Sequence, residues 1–132
     1  MSGAASVADP VSTSVAAAGG LGWLPLAGAA INVALGLNGL VRPYATADFT
    51  GVAPVGRTGL SEIRATYGGF FLALGLFVLA SGSPVACRAL GCGWLGAALG
   101  RLLSVVVDRS REPRTLGAVA FEAAIAALLL AA

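Results

Sequence analysis

Two apolar runs around a charged turn decide the fold of this chain. Residues 101–107 read Arg-Leu-Leu-Ser-Val-Val-Val, and residues 115–122 read Thr-Leu-Gly-Ala-Val-Ala-Phe-Glu. The turn between them, residues 108–114, carries five charges, whereas each run carries one, Arg101 or Glu122. If both runs are helices, Arg101 and Glu122 lie at similar depth because they are seven and eight residues from the turn. We therefore expect these two side chains to pair.

The composition indicates a membrane protein. The 132-residue chain is 58% hydrophobic and only 11% charged, whereas soluble domains carry about 25% charged residues. So few charges cannot cover a surface that faces water, and the long runs are apolar on every side, as a helix in lipid requires. We predict an all-α integral membrane bundle, with the lipid bilayer as its main partner.

The shortage of chemically active side chains narrows the function. There is no His, so the commonest metal ligand and neutral-pH acid–base group is absent. The net charge of +2 is too small to indicate nucleic acid binding. Cys87 and Cys92 lack the spacing of a metal site. We interpret them as small apolar residues, and a disulfide remains an alternative that requires an oxidising compartment. We predict no metal and no cofactor.

Apolar length divides the chain into a tail and four spans. Residues 1–18 lack the positively charged start of a secretory signal, and we expect a disordered tail there. Residues 19–132 are expected to form one four-helix transmembrane domain, because each run can cross a hydrocarbon core of about 30 Å. The predicted helices are residues 19–41, 61–80, 89–107 and 115–132.

The distribution of Arg predicts the orientation of the bundle. All eight basic residues are Arg; five of them lie in the first and third loops, residues 42–60 and 108–114, and only Arg88 lies at the opposite end. The positive-inside rule places these two loops in the cytoplasm and both termini on the extracytoplasmic side. We expect a multi-pass protein of the cytoplasmic (inner) membrane.

Small residues repeat every four positions in two of the predicted helices. The first stripe is Gly28, Asn32 and Gly36, and the second is Gly96, Gly100 and Ser104. Stripes of this kind let helices approach closely, and the Asn32 amide can hydrogen-bond across the contact. We expect both stripes to pack the protein's own helices, with a membrane-protein partner or a homo-oligomer as the alternative.

The polar residues of the helices form the candidate site. A charge at a helix centre costs about 2.5–3.5 kcal/mol on insertion scales, and pairing with an opposite charge removes much of that cost. The candidate residues cluster toward the predicted cytoplasmic side, and Glu62 and Arg64 are expected to join the deeper pair. The candidates are Glu62, Arg64, Tyr67, Arg101 and Glu122.

The same residues carry a resemblance to a known family. Residues 61–71 read Ser-Glu-Ile-Arg-Ala-Thr-Tyr-Gly-Gly-Phe-Phe, residues 100–104 read Gly-Arg-Leu-Leu-Ser, and residues 121–122 read Phe-Glu. These segments resemble domain of unknown function 4345, a family of small bacterial membrane proteins with four hydrophobic helices. The resemblance covers roughly residues 20–132. It implies that the five candidate residues match the family's polar positions, and it implies no activity.

Three functions follow from this reading. The first is a structural or accessory subunit whose helices are held by a buried Arg/Glu network. The alternative is a cofactor-independent intramembrane enzyme or binding protein for a lipophilic small molecule. In that case Glu62 or Glu122 would act as acid or base, and Tyr67 would orient the substrate. The third is proton or ion movement, which is opposed by the Arg near each carboxylate. We favour a protein that is not an enzyme.

Overall fold

The computed structural model describes residues 20–132, so the tail predicted for residues 1–18 lies outside the described range. Residues 20–132 contain five helices and no strand. The helices are α1, Trp23–Val41; α2, Pro43–Thr50; α3, Gly56–Ser81; α4, Pro84–Val107; and α5, Pro113–Leu130. All but the short α2 have the length and apolar composition to cross a membrane. The predicted all-α bundle with four candidate membrane spans is therefore confirmed.

Proline and glycine set most of the helix boundaries. Three helices begin with proline, Pro43, Pro84 and Pro113, at a position where no intrahelical N–H bond is lost. Gly51 and Gly82 end α2 and α3 in the left-handed conformation, with φ of 76° and 58°, which glycine adopts without a Cβ penalty.

Helix α4 begins at Pro84, earlier than residue 89. Ser83 caps it by accepting a hydrogen bond from the backbone N–H of Ala86 at 3.3 Å. Pro84 can begin the helix because proline is favourable at the first helical position.

The first predicted loop is more ordered than the sequence suggested. Helix α2 occupies its first half, and α3 begins at Gly56 rather than at residue 61. The Asn38 side chain donates to Thr46 Oγ1 at 2.8 Å, which ties α2 to the end of α1. Thr46 and Ala47 are buried against the bundle. Tertiary contacts thus stabilise a helix in a segment rich in Gly and Pro.

Glycines allow α1 to lie directly against its neighbours. A Cβ on Gly75 would stand 2.7 Å from Val33 Cγ2, and one on Gly28 would stand 2.9 Å from Leu129 Cγ. A Cβ on Gly36 would meet the backbone of Leu72. Such distances are too short for a real Cβ, so the α1 backbone lies directly against the α3 backbone and against side chains of α5. The first small-residue stripe packs the protein's own helices, as expected.

The second small-residue stripe was assigned the wrong role. Within residues 20–132, no atom lies within 4 Å of a Cβ built on Gly96 or Gly100, so these two glycines pack against no other helix there. Helix α4 instead contacts α5 through a different face that includes Gly91 and Ala98. A Cβ on Gly91 would stand 2.9 Å from Leu130 Cγ. Sequence spacing identified small residues on one face but not which face of α4 meets α5.

The four long helices form two closely packed pairs. Helix α1 packs mainly on α3, and α4 packs mainly on α5, whereas α3 and α4 contact each other little although they are adjacent in the chain. Helices α1 and α5 join the two pairs. A space therefore remains between α3 and α4, and three of the candidate site residues, Tyr67, Arg101 and Glu122, border it.

Candidate intramembrane binding site

Arg101 and Glu122 form the expected ion pair. Arg101 Nε donates to Glu122 Oε1 at 2.7 Å, joining α4 to α5. The Glu122 side chain is 9% exposed and the Arg101 side chain is 34% exposed. The prediction from the two apolar runs is confirmed, and it follows from helix geometry because both residues stand about two turns from the same connection.

The second carboxylate oxygen of Glu122 has no partner. Oε2 is buried and accepts no hydrogen bond within residues 20–132. A buried polar atom without a partner costs roughly 1–3 kcal/mol, and more when it is charged. A pair that served only to join α4 and α5 would be expected to satisfy both oxygens. Oε2 is therefore an unused acceptor on a residue that lines the cavities described below.

A cavity of about 670 Å³ lies between α3 and α4, and we call it the α3–α4 cavity. Aromatic and aliphatic side chains of α3 form one wall, and small residues of α4 form the opposite wall. The α3 wall includes Phe70, Leu74 and Phe77; the α4 wall includes Gly93, Ala97, Gly100 and Ser104. Two residues of the second small-residue stripe, Gly100 and Ser104, thus border this cavity.

A second cavity of about 720 Å³ lies nearer the α4–α5 connection, and we call it the loop-side cavity. Residues of α1, α2 and α5 form most of its lining. Its lining is richer in polar groups and includes Asn38, Thr46, Thr50, Arg114 and Thr115. This cavity therefore offers a more polar environment than the α3–α4 cavity.

The ion pair stands where the two cavities meet. Five residues line both of them: Tyr67, Phe71, Trp94, Arg101 and Glu122. We call these five residues the neck. A molecule in the α3–α4 cavity would lie among apolar side chains along most of its length and would meet the charged pair only at the neck.

Aromatic rings surround the charged pair and shape the neck. The ring centroids of Phe71 and Trp94 are 5.3 Å apart, and those of Trp94 and Phe121 are 6.3 Å apart, in edge-to-face geometry. Tyr67 and Phe49 extend the series at its two ends. Edge-to-face contacts of this kind contribute about 0.5–1.5 kcal/mol each beyond the area they bury. They hold the walls of the neck in one arrangement.

Hydrogen bonds fix the aromatic walls to α1. Trp94 Nε1 donates to Asn32 Oδ1 at 2.9 Å, and Asn32 Nδ2 donates to the Phe71 carbonyl at 2.6 Å. Asn32 is fully buried, and both its amide oxygen and its amide nitrogen have a partner, from α4 and α3 respectively. One side chain on α1 therefore sets the spacing of two helices that border the α3–α4 cavity.

Only three of the five predicted site residues come together. Tyr67, Arg101 and Glu122 border the neck, whereas Glu62 and Arg64 are exposed and line neither cavity. The expectation that Glu62 and Arg64 join the pair was wrong. Arg64 Nε instead donates to the carbonyl of Leu40 at 3.3 Å, at the end of α1. Its position on the outer side of α3 explains why it caps a neighbouring helix rather than meeting Glu122.

Sequence reasoning missed the aromatic part of the site. Trp94, Phe71 and Phe121 were not selected, because an aromatic residue in an apolar run looks like any other lipid-facing residue. One signal was available: Trp94 lies seven residues before Arg101, two helical turns away on the same face of α4. Phe121 directly precedes Glu122.

Outside the spans, one carboxyl group is electrostatically perturbed. The pKa of Glu112 lies below its usual value because the carboxylate accepts hydrogen bonds from its own backbone N–H and from the Ser110 and Thr115 hydroxyls. The Ser110 contact is 2.9 Å long. These bonds organise the start of α5 beside the loop-side cavity.

The cysteines do not contribute to the neck. Cys87 is buried and Cys92 is exposed, and both are free thiols. Five residues on an α-helix rotate about 140° around the axis, so the two side chains leave α4 on different faces. In residues 20–132, no group of three His, Cys, Asp or Glu residues is placed to hold a metal ion.

The sequence comparisons agree with the architecture. The model of the family described as Domain of unknown function (DUF4345) matches residues 20–132, the whole of the described range. No curated protein and no solved structure matches the chain. With four candidate membrane spans in the same range, this is a small multi-pass membrane protein, and it belongs to the DUF4345 family.

Proposed function

We propose that this protein binds a lipophilic small molecule in the α3–α4 cavity, with the polar end of that molecule at the neck. The observation that carries the proposal is the buried, unpartnered Oε2 of Glu122. In a bilayer this atom has little water to bond with, because the hydrocarbon core supplies none. A bound molecule with a donor group would satisfy it.

The dimensions and lining of the cavity support the same proposal. Small-molecule sites are usually about 300–1,000 Å³ and mostly apolar, with a few polar groups that fix orientation. The α3–α4 cavity, at about 670 Å³, falls in this range. Its ionic groups, Arg101 and Glu122, lie toward one end, whereas side chains such as Leu74 and Leu90 line its length. This distribution suits an amphipathic molecule better than a uniformly polar one.

A structural or accessory subunit is the second candidate. Two contacts favour it, since α4 and α5 are joined by Arg101–Glu122 at one end and by Arg88, which donates to the Ala132 carbonyl at 2.7 Å, at the other. Buried pairs can fix helix register without chemistry. In this case the cavities would be filled by lipid, and a membrane-protein partner or second copy would cover the outer faces.

Location and orientation belong to the proposal as well. We place the protein in the cytoplasmic (inner) membrane with the loop-side cavity toward the cytoplasm, because loops rich in Arg stay on that side. The neck then lies in the cytoplasmic half of the bilayer. A lipophilic molecule would reach it from the membrane rather than from water.

The test is to block the cavity without touching the ion pair. Gly93→Leu places a side chain into the α3–α4 cavity, because Gly93 lines it and nothing lies within 4 Å of its Cβ position. Gly96→Leu is the matched control on the same helix, with equally open surroundings and no place in the cavity lining. Wild type and both variants would be purified in mild detergent and their bound small molecules analysed by mass spectrometry.

We expect wild type and Gly96→Leu to retain the same molecule and Gly93→Leu to lose it, with equal native mass for all three. Retention of an equal amount by Gly93→Leu would refute the binding proposal. If no molecule is retained by any of them, and Glu122→Gln unfolds at a much lower temperature or loses a protein partner, the structural role gains instead.

A further inference from the structure

Within residues 20–132, the neck contains both an acceptor and donor groups that no hydrogen bond uses. Glu122 Oε2 is an acceptor without a partner. Arg101 uses Nε for Glu122 Oε1, and within residues 20–132 its side chain makes no other hydrogen bond. The terminal N–H groups of Arg101 remain available as donors, since its side chain is 34% exposed. A ligand group that both donates and accepts can satisfy the two residues at once.

Charge balance restricts the ligand further. Arg101 and Glu122 neutralise each other, so an anionic or cationic head group would leave one net charge in a low-dielectric site. An unpaired charge in such surroundings is strongly disfavoured. An uncharged head group adds hydrogen bonds without adding net charge. Hydroxyl and primary amide groups meet this requirement because each carries both a donor and an acceptor.

The shape of the α3–α4 cavity indicates a linear chain. On α4 its lining extends from Ala86 to Ser104, and eighteen residues of helix measure roughly 27 Å. Over this length the α4 wall is kept low by Gly93, Ala97 and Gly100, while α3 supplies larger apolar side chains on the opposite wall. Such a trough fits an extended hydrocarbon chain lying parallel to the helices.

The side of the cavity between α3 and α4 gives access from lipid. These two helices contact each other little, and Phe70 and Phe77, which line the cavity on α3, are 58% and 60% exposed. A chain can therefore move in sideways from the bilayer. The loop-side cavity beyond the neck provides room for a head group larger than one hydroxyl.

We propose that the ligand is a long-chain lipid with an uncharged head group that both donates and accepts hydrogen bonds, such as an alcohol or a primary amide. The head group binds between Glu122 Oε2 and the Arg101 guanidinium, and the chain lies along α4 in the α3–α4 cavity. This assignment rests on the binding function proposed above.

The experiment uses Trp94 as a reporter of the neck. The chain has two tryptophans, and Trp23 is 76% exposed, so Trp23→Phe leaves a single fluorophore that lines both cavities. Stearyl alcohol brominated at mid-chain would be added in detergent micelles as a contact quencher. Oleyl alcohol, oleamide, oleyl sulfate and oleyltrimethylammonium would then compete with it, so that chain length stays constant while head-group charge changes.

We expect the alcohol and the amide to reverse quenching at concentrations at least tenfold lower than the two charged lipids. Equal competition by all four would overturn the head-group assignment but leave the binding function standing, provided that Gly93→Leu abolishes quenching and Gly96→Leu does not. Quenching that is the same in Gly93→Leu and wild type would overturn both.

Charge variants give an independent check. Glu122→Gln leaves Arg101 unneutralised. We therefore expect oleyl sulfate to compete at least tenfold better, relative to oleyl alcohol, than it does in wild type. Arg101→Gln leaves Glu122 unneutralised and should move the preference toward oleyltrimethylammonium. If either variant does not fold, the other still tests the assignment. An unchanged order of preference in a folded variant would contradict it.

Discussion

The indole of Trp94 on α4 is hydrogen-bonded to the fully buried amide of Asn32 on α1, with 2.9 Å between Nε1 and Oδ1. The same amide donates to the carbonyl of Phe71 on α3. Three helices thus meet at one polar side chain in the middle of an apolar bundle. This contact holds two aromatic rings of the neck in place, and it makes Asn32 a residue on which the cavity depends.

Asn32→Leu should destabilise the protein by about 1–3 kcal/mol. The change leaves the indole N–H without its partner and removes the side-chain bond to the Phe71 carbonyl, and interhelical hydrogen bonds in membranes contribute roughly 0.6–2 kcal/mol. Unfolding by SDS in mixed micelles would measure the loss. Combining Asn32→Leu with Trp94→Phe tests the mechanism. The double variant should lose less free energy of unfolding than the sum of the losses in the two single variants. Strict additivity would show that the bond carries no coupling energy.

Removing one member of the ion pair should cost more than removing both. Glu122→Gln is expected to lower stability by about 2–3 kcal/mol, below the roughly 3–5 kcal/mol of a fully buried pair, because the Arg101 side chain is 34% exposed. In Arg101→Gln/Glu122→Gln no charge remains buried, so part of the loss should be recovered. Thermal unfolding of wild type, the two single variants and the double variant in one detergent completes a double-mutant cycle. If the stability loss of the double variant equals the sum of the losses in the two single variants, the proposed pairing is contradicted.

The close approach of α1 and α3 should not tolerate a methyl group. In Gly75→Ala the new Cβ would stand 2.7 Å from Val33 Cγ2 and 2.9 Å from the Val33 backbone nitrogen. Because backbone cannot move out of the way cheaply, overpacking of this kind costs about 1–3 kcal/mol.

Gly96→Ala is the control for that change. Nothing lies within 4 Å of its Cβ position, and alanine is favoured over glycine in a helix by up to about 1 kcal/mol. We expect it to be neutral or stabilising. Equal destabilisation by Gly75→Ala and Gly96→Ala would mean that the two glycines are needed for backbone flexibility and that the close approach of α1 and α3 does not explain the effect at Gly75.

Cysteine labelling would test the proposed orientation. In a chain whose Cys87 and Cys92 are replaced by Ala, Val55→Cys and Ser81→Cys place one thiol at each end of α3, and both parent residues are exposed. A maleimide that cannot cross the membrane should label position 81 in intact cells and position 55 only after lysis. The reverse pattern would show that the Arg-rich loops lie outside.

The carboxyl group of Glu112, in the turn before α5, should make the stability of the protein depend on pH in the acid range. Its pKa is lowered by hydrogen bonds from its own N–H and from Ser110 and Thr115. A lowered pKa means that its stabilising contribution is complete above the unfolded-state pKa and is lost as pH falls through the folded-state pKa. We expect wild type to be more stable than Glu112→Gln at neutral pH and the difference to disappear in acid. A difference that does not change with pH would contradict this assignment.

The sequence predicted the spans and the central pair, and it did so for local reasons. Apolar runs long enough for a bilayer must become helices, because every backbone polar group in lipid has to be satisfied within the helix. Arg101 and Glu122 stand close to one short turn, so their meeting depends only on helical rise and on α4 and α5 being neighbours. The Gly28, Asn32 and Gly36 stripe was likewise readable from a four-residue repeat.

The remaining features depend on how the helices rotate against one another. Arg64 and Glu62 have the same residue types as the pair, yet α3 turns them outward. Gly96 and Gly100 form a stripe like that of α1, yet α4 turns a different face toward α5. In an all-apolar helix no polar face indicates which side is buried, so spacing alone cannot fix this rotation.

The amino-acid sequence by itself thus determined that the chain forms four apolar spans with one charged pair inside, because length, composition and local spacing suffice for that. Tertiary structure alone decided that α3 and α4 separate, that Trp94, Phe71 and Phe121 surround the pair, and that one oxygen of Glu122 remains free beside a cavity. The physical reason is that side-chain packing between helices, and not the preference of any single helix, sets their rotation and spacing.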